Sequence, residues 1–107
     1  MEKLIIYQNL IKTMLTEFAI KEAGDKILAD DINHQYQLFR TSGETDSNFF
    51  FRVRMHLYIN EKEKICILEN TTDIEIADYL IANGVLKKDI APVFLPIEVR
   101  KFAGYAV

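Results

Sequence analysis

Disulfides, membrane spans and an excess of positive charge are all missing from this 107-residue chain. Its one cysteine, Cys66, excludes an intramolecular disulfide, and the lack of a disulfide framework fits a cytoplasmic protein. Cys66 lies inside the apolar run KICIL, where a cysteine reads as a small buried hydrophobe and not as a reactive thiol. Glycine is scarce too: the four glycines are scattered, so no glycine-rich phosphate loop exists. No apolar run approaches the roughly 20 residues needed to cross a bilayer. The opening MEKLIIYQNLIK carries polar residues throughout and does not read as a signal peptide. Thirteen Lys and Arg against 16 Asp and Glu give a formal charge of −3, which argues against a stand-alone DNA binder.

What is present is globular. Half the residues (50%) are hydrophobic and 27% are charged, so the chain can bury a core and is not disordered. The length fits a single domain over residues 1–107. A domain of this size leaves much surface wet, and its spare apolar surface suits a second copy or another partner, with a homodimer as the default.

Hydrophobic periodicity predicts a helix over residues 2–22, with Leu4, Tyr7, Ile11, Met14 and Phe18 on one face and Gly24 beyond its end. KILADDI (26–32) and HQYQLFRTSG (34–43) are strand candidates, and the polar TSGETDSN (41–48) is a turn. FFFRVRMHLYI (49–59) alternates most clearly. Phe49, Phe51, Val53, Met55, Leu57 and Ile59 would face the core, and Phe50, Arg52, Arg54, His56 and Tyr58 the opposite side. KICILE (64–69) is apolar on both faces, as in a central strand. In TTDIEIADYLIANG, Thr72 and Glu75 have the spacing of a capping box, and Gly84 marks the helix end. VLKKDIAPVF then runs extended, and the stretch after Pro96 has room for a helical turn. The fold class is therefore α+β: a long N-terminal helix, about four mainly antiparallel strands, a second helix and a short irregular C-terminal tail.

The face carrying Arg52, Arg54, His56 and Tyr58 is the candidate interaction surface. Aromatics interleaved with arginines can hold single-stranded nucleic acid. The same residues can also form a solvated face with cross-strand ion pairs, or a protein interface. Asp30, Asp31 and His34 match no established metal geometry. His56 has no nucleophile or orienting group placed beside it by any motif. The reading is of a protein that is not an enzyme, with no catalytic, metal-binding or cofactor-binding residues.

The stretch TTDIEIADYLIANGVLKKDIAPVFLPIEVRKFAGYAV resembles the C-terminal signature of the fdxN-element excision-controlling factor family, XisI. Thr72, Ile76, Ala77, Leu80, Gly84, Val85, Lys88, Asp89, Ile90, Phe94, Arg100, Phe102, Tyr105, Ala106 and Val107 carry the likeness. MEKLIIYQNLIKTMLTEFA is similar to the family's opening helix. The chain departs from the pattern at Leu95, Ile97 and Lys101, where the family has a histidine and two prolines, and at Glu44, where it has a tryptophan. The resemblance implies a small accessory protein that acts with an XisH-like nuclease-fold partner in programmed excision of a DNA element in cyanobacteria. It also implies a docked tail. Phe102, Tyr105 and Val107 would fill a groove on the sheet or on another subunit, helped by Arg100 reaching a carboxylate or carbonyl.

Overall fold

A computed structural model describes residues 2–43 and 47–107. Helix α1 (Glu2–Phe18) leads into β1 (Asp25–Asp30), β2 (Gln35–Thr41), β3 (Phe51–Ile59) and β4 (Ile65–Asn70). Helix α2 (Ile76–Ala82), strand β5 (Ile90–Pro92) and helix α3 (Ile97–Ala103) follow, and short 3-10 turns precede β1 and β5. The strands form one sheet in the order β1-β2-β3-β4-β5. The first four pair antiparallel, and β5 runs parallel to β4. The fold is thus α+β as expected, with one strand more than the four counted from alternation. Three residues ending in proline are too short to show a period. Pro92 is tolerated because β5 lies at the sheet's far edge.

One face of the sheet holds the main core. Tyr7, Ile11, Met14 and Leu15 of α1 pack on Tyr36, Leu38, Met55, Leu57, Ile59, Ile65 and Ile67. Ile76 and Leu80 of α2, with Val85 and Ile90, complete it. Each such side chain contributes roughly 1.5–3 kcal/mol on full burial. A smaller cluster of Cys66, Ala91 and Ala106 lies on the opposite face, because Cys66 and Ala91 alternate with the core residues Ile65, Ile67 and Ile90.

The strand ends shift by up to two residues, and the larger departures from the sequence reading lie in α1, α2 and the tail. Helix α1 stops at Phe18 and not near residue 22, because Ile20 turns extended and donates its N–H to Asp25 Oδ2 at 2.8 Å. Thr72 and Glu75 do not form a capping box; α2 begins at Ile76 without a side-chain cap. Asn70 is the reason. Its Oδ1 accepts from Thr72 N–H and hydroxyl, and its Nδ2 donates to the Ile74 carbonyl, which holds 72–74 in a turn. The tail is not irregular throughout, since α3 occupies Ile97–Ala103. The α2 end is as expected: Gly84 takes φ 100°, and Gly84 and Val85 donate to Ile81 and Leu80 carbonyls. Of the turn expected over 41–48, Glu44, Thr45 and Asp46 lie outside the described residues.

Candidate functional site

The four residues expected on one face of β3 are divided between two. Leu38 pairs with Met55, but Phe39 pairs with Val53, so Arg54 is an extra residue on β3. Such a bulge shifts the alternation. Met55, Leu57 and Ile59 face the helices and are buried. On the other side of the bulge, Arg52 pairs with Arg40, whose parity is that of the buried Leu38 and Tyr36. Arg52 and Arg54 therefore lie on the helix-covered side, and His56 and Tyr58 on the open one.

Arg54 is not available to a ligand as a free charge. Asp25, buried beneath the end of α1, accepts from Arg40 Nε at 2.6 Å, Arg40 Nη2 at 3.2 Å and Arg54 Nη1 at 3.0 Å. Burial alone would raise the Asp25 carboxyl, yet the bonds from Arg40 and the Ile20 amide, with the charges of Arg40 and Arg54, hold it below the usual carboxylate range. Arg52 stays exposed and lies over the Phe50 ring, 5.2 Å from its centroid.

On the open face, His56 sits between two glutamines, with Nε2 2.8 Å from Gln35 Oε1 and Nδ1 3.5 Å from Gln37 Nε2. Burial lowers its pKa, only partly opposed by Glu69. The two glutamine amides hold the ring in place. Tyr58 packs against the Cys66, Ala91 and Ala106 cluster, and burial raises its phenol pKa. Burial likewise pushes the Cys66 thiol up, which makes it a poor nucleophile.

The tail docks through its backbone and small residues. Ala106 N–H donates to the Ile90 carbonyl at 2.8 Å and covers the outer side of β5. Tyr105 packs against the main core, with Lys87 Nζ 4.8 Å from its ring centroid. Gly104, at φ 87°, ends α3. Phe102 and Val107 do not fill a groove on the sheet: they are 95% and 65% exposed. Phe102 lies on α3, whose half-buried positions are Arg100 and Ala103, and projects away from the sheet. Arg100 lies half-buried on α3, and its Nε is buried with no hydrogen-bond partner among the described residues.

A second buried carboxylate escaped the sequence reading. Asp89 is fully buried and accepts from Tyr7 Oη at 2.7 Å and Lys64 Nζ at 2.8 Å, with Lys3 Nζ 3.4 Å away. It ties α1, β4 and the turn before β5 together. Burial opposes ionisation, but Lys64, Tyr7 and Lys3 outweigh it and hold the carboxyl below its ordinary range. Burial and the bond to Asp89 push the Tyr7 phenol up to about 12. The signal for Asp89 was a lone acid directly before the apolar run IAPVF.

The residues weighed as metal ligands have structural partners. Asp30 accepts from the Ile32 and Asn33 amides and from Asn33 Nδ2; Asp31 accepts from Lys12 and the Tyr36 hydroxyl. Among the described residues no group of three or more His, Cys, Asp or Glu could hold a metal ion. Among the described residues no helix is long and apolar enough to cross a membrane.

Fold and surface together define a small helix-on-sheet protein whose buried carboxylates, Asp25 and Asp89, are held by its own side chains and whose surface exposes several large apolar side chains among its charged ones. The XisI protein family model matches residues 1–107, and the chain belongs to that family. Two solved structures share the fold. An XisI-like protein from Anabaena variabilis ATCC 29413 is 26% identical, with a TM-score of 0.83 over 97% of this chain and 98% of that one. The fdxN element excision controlling factor XisI of the same organism is 22% identical, with a TM-score of 0.79 over 97% of each chain. No curated protein sequence matches the chain.

Proposed function

We propose that this chain is a non-enzymatic accessory protein that controls excision of a DNA element, or a related process, through an XisH-like nuclease-fold partner. The family match across residues 1–107 carries this reading. The surface chemistry supports it. Arg54 and Arg40 are both engaged by the Asp25 carboxylate, and the exposed large side chains Phe49, Phe51, Phe94 and Phe102 suit a protein contact better than a phosphate backbone. The chain works in the cytoplasm, pairs with a second copy, and reaches DNA through its partner.

Titrating the chain into labelled single-stranded and duplex DNA, with and without the XisH-like protein, tests this. The chain alone should give no salt-dependent binding, and it should change the partner's DNA binding or cleavage. Tight, salt-dependent binding by the chain alone, lost in Arg52→Glu, would favour the arginine face of β3 and overturn the reading.

A further inference from the structure

The two edges of the sheet are treated differently. Beside β5 the tail supplies a cover, with Ala106 bonded to Ile90. Beside β1 there is no strand among the described residues. Edge strands are ordinarily blunted by proline, a bulge, brevity or charged side chains. Strand β1 has no proline or bulge and is not short, and its charges, Asp25, Lys26 and Asp30, stand at its two ends and leave Ile27, Leu28 and Ala29 between them. It is six residues long, DKILAD, in unbroken register with β2, with Ile27, Leu28 and Ala29 all exposed.

The direction of its backbone groups follows from one hydrogen bond. Thr41 N–H donates to the Gly24 carbonyl at 3.1 Å, in the same register that pairs Asp25 with Arg40. Antiparallel pairs alternate between bonded and non-bonded. Lys26, Leu28 and Asp30 therefore bond to β2, and Asp25, Ile27 and Ala29 direct their backbone groups outward. The Asp25 amide is already taken by the Ile20 carbonyl, which leaves Ile27 and Ala29 to serve a neighbour.

The geometry points to a second copy of this chain as that neighbour: two β1 strands pair antiparallel about a two-fold axis at Leu28 and join the two sheets into one. Charge picks the register. Only strands whose outward-facing residues meet can bond, so the axis passes Ile27, Leu28 or Ala29. Centring on Leu28 sets Lys26 opposite the partner's Asp30, and Asp30 opposite the partner's Lys26. It also sets Leu28 against the partner's Leu28, and Ile27 against the partner's Ala29. Centring on Ile27 sets Lys26 against the partner's Leu28, and centring on Ala29 sets Leu28 against the partner's Asp30, so both lose the ion pairs. Opposite charges across strands favour pairing, and a two-fold arrangement uses each pair twice.

This inference gives a surface to the homodimer in the function proposed above. The test uses the chain alone, so a failed dimer and a failed partner interaction are read separately. Light scattering on the wild type should give a dimer. Under mild oxidation Leu28→Cys should link two chains, since residues on the axis approach within disulfide range. Lys26→Cys should not, because the two copies of position 26 lie at opposite ends of the paired segment. Ala29→Pro removes an outward N–H without touching the β2 ladder and should be a folded monomer, as should Lys26→Asp. A monomeric wild type would overturn the proposal. So would a dimer that survives both Ala29→Pro and Lys26→Asp, or cross-links equally at positions 26 and 28.

Discussion

Replacing Asp89 with alanine takes a shared acceptor from Tyr7, Lys64 and Lys3 at once. Tyr7 suffers most. Its side chain is 4% exposed, so water cannot replace the lost bond. An orphaned buried hydroxyl costs ~1–3 kcal/mol. The lysines lose less, because Lys64 and Lys3 keep 27% and 43% of their side-chain exposure and remain hydrated. Together with the small cavity left behind, the expected destabilisation is ~2–4 kcal/mol. Removing one member of a fully buried pair costs more, ~3–5 kcal/mol. For a domain near this length the melting temperature should fall roughly 10–25 °C. Thermal and urea melts followed by circular dichroism read the loss.

Two controls separate the buried bond from simple packing. Tyr7→Phe alone should cost about 1 kcal/mol, and Tyr7→Phe with Asp89→Ala should cost less than the two singly, since they share one bond. The folded-state pKa of Asp89 is depressed, so the unfolded chain binds the proton first as pH falls. Its stabilisation is full above the ordinary carboxylate value, about 4, and disappears as pH drops from there through the folded value. Wild type should weaken on that acid limb, and Asp89→Ala should weaken less steeply. A variant within ~0.5 kcal/mol of wild type, or strict additivity with Tyr7→Phe, would refute the reasoning.

Gly24→Ala should destabilise by more than ~2 kcal/mol, because φ is +91° and the new Cβ would collide with the Thr41 carbonyl oxygen; urea melts check this. Asn70→Ala should cost ~1–3 kcal/mol in the same assay, with the loss concentrated at the start of α2, where hydrogen exchange should quicken. Phe102→Ser should leave the melting temperature within a degree or two, since the ring is 95% exposed, while reducing capture of the XisH-like partner if α3 contributes to that contact.

Much of the architecture was legible because its signals are periodic. Tyr7, Ile11 and Met14 recur at helical spacing, and Met55, Leu57 and Ile59 at strand spacing, and all are buried. What alternation cannot show is an inserted residue. The bulge at Arg54 moves Arg52 and Arg54 off the face that holds His56 and Tyr58, and no local feature of FFFRVRMHLYI marks the slip. Capping chemistry misled for a related reason. Thr72 and Glu75 have the spacing of a capping box, but Asn70 is close enough to claim Thr72 first. The exposed Phe102 and the buried Asp25 and Asp89 are inversions of ordinary burial, and the two acids are held by partners from other elements, Arg40 and Arg54 for Asp25 and Tyr7 and Lys64 for Asp89. Asp89 and Tyr7 are 82 residues apart, and nothing local to either predicts the bond.

Co-expression of this chain with its XisH-like partner, followed by size exclusion with light scattering, tests most directly whether the protein acts through another protein. A stable stoichiometric complex is the predicted result, with the chain's own dimer read from the same run in the partner's absence. Two folded proteins eluting apart would contradict it.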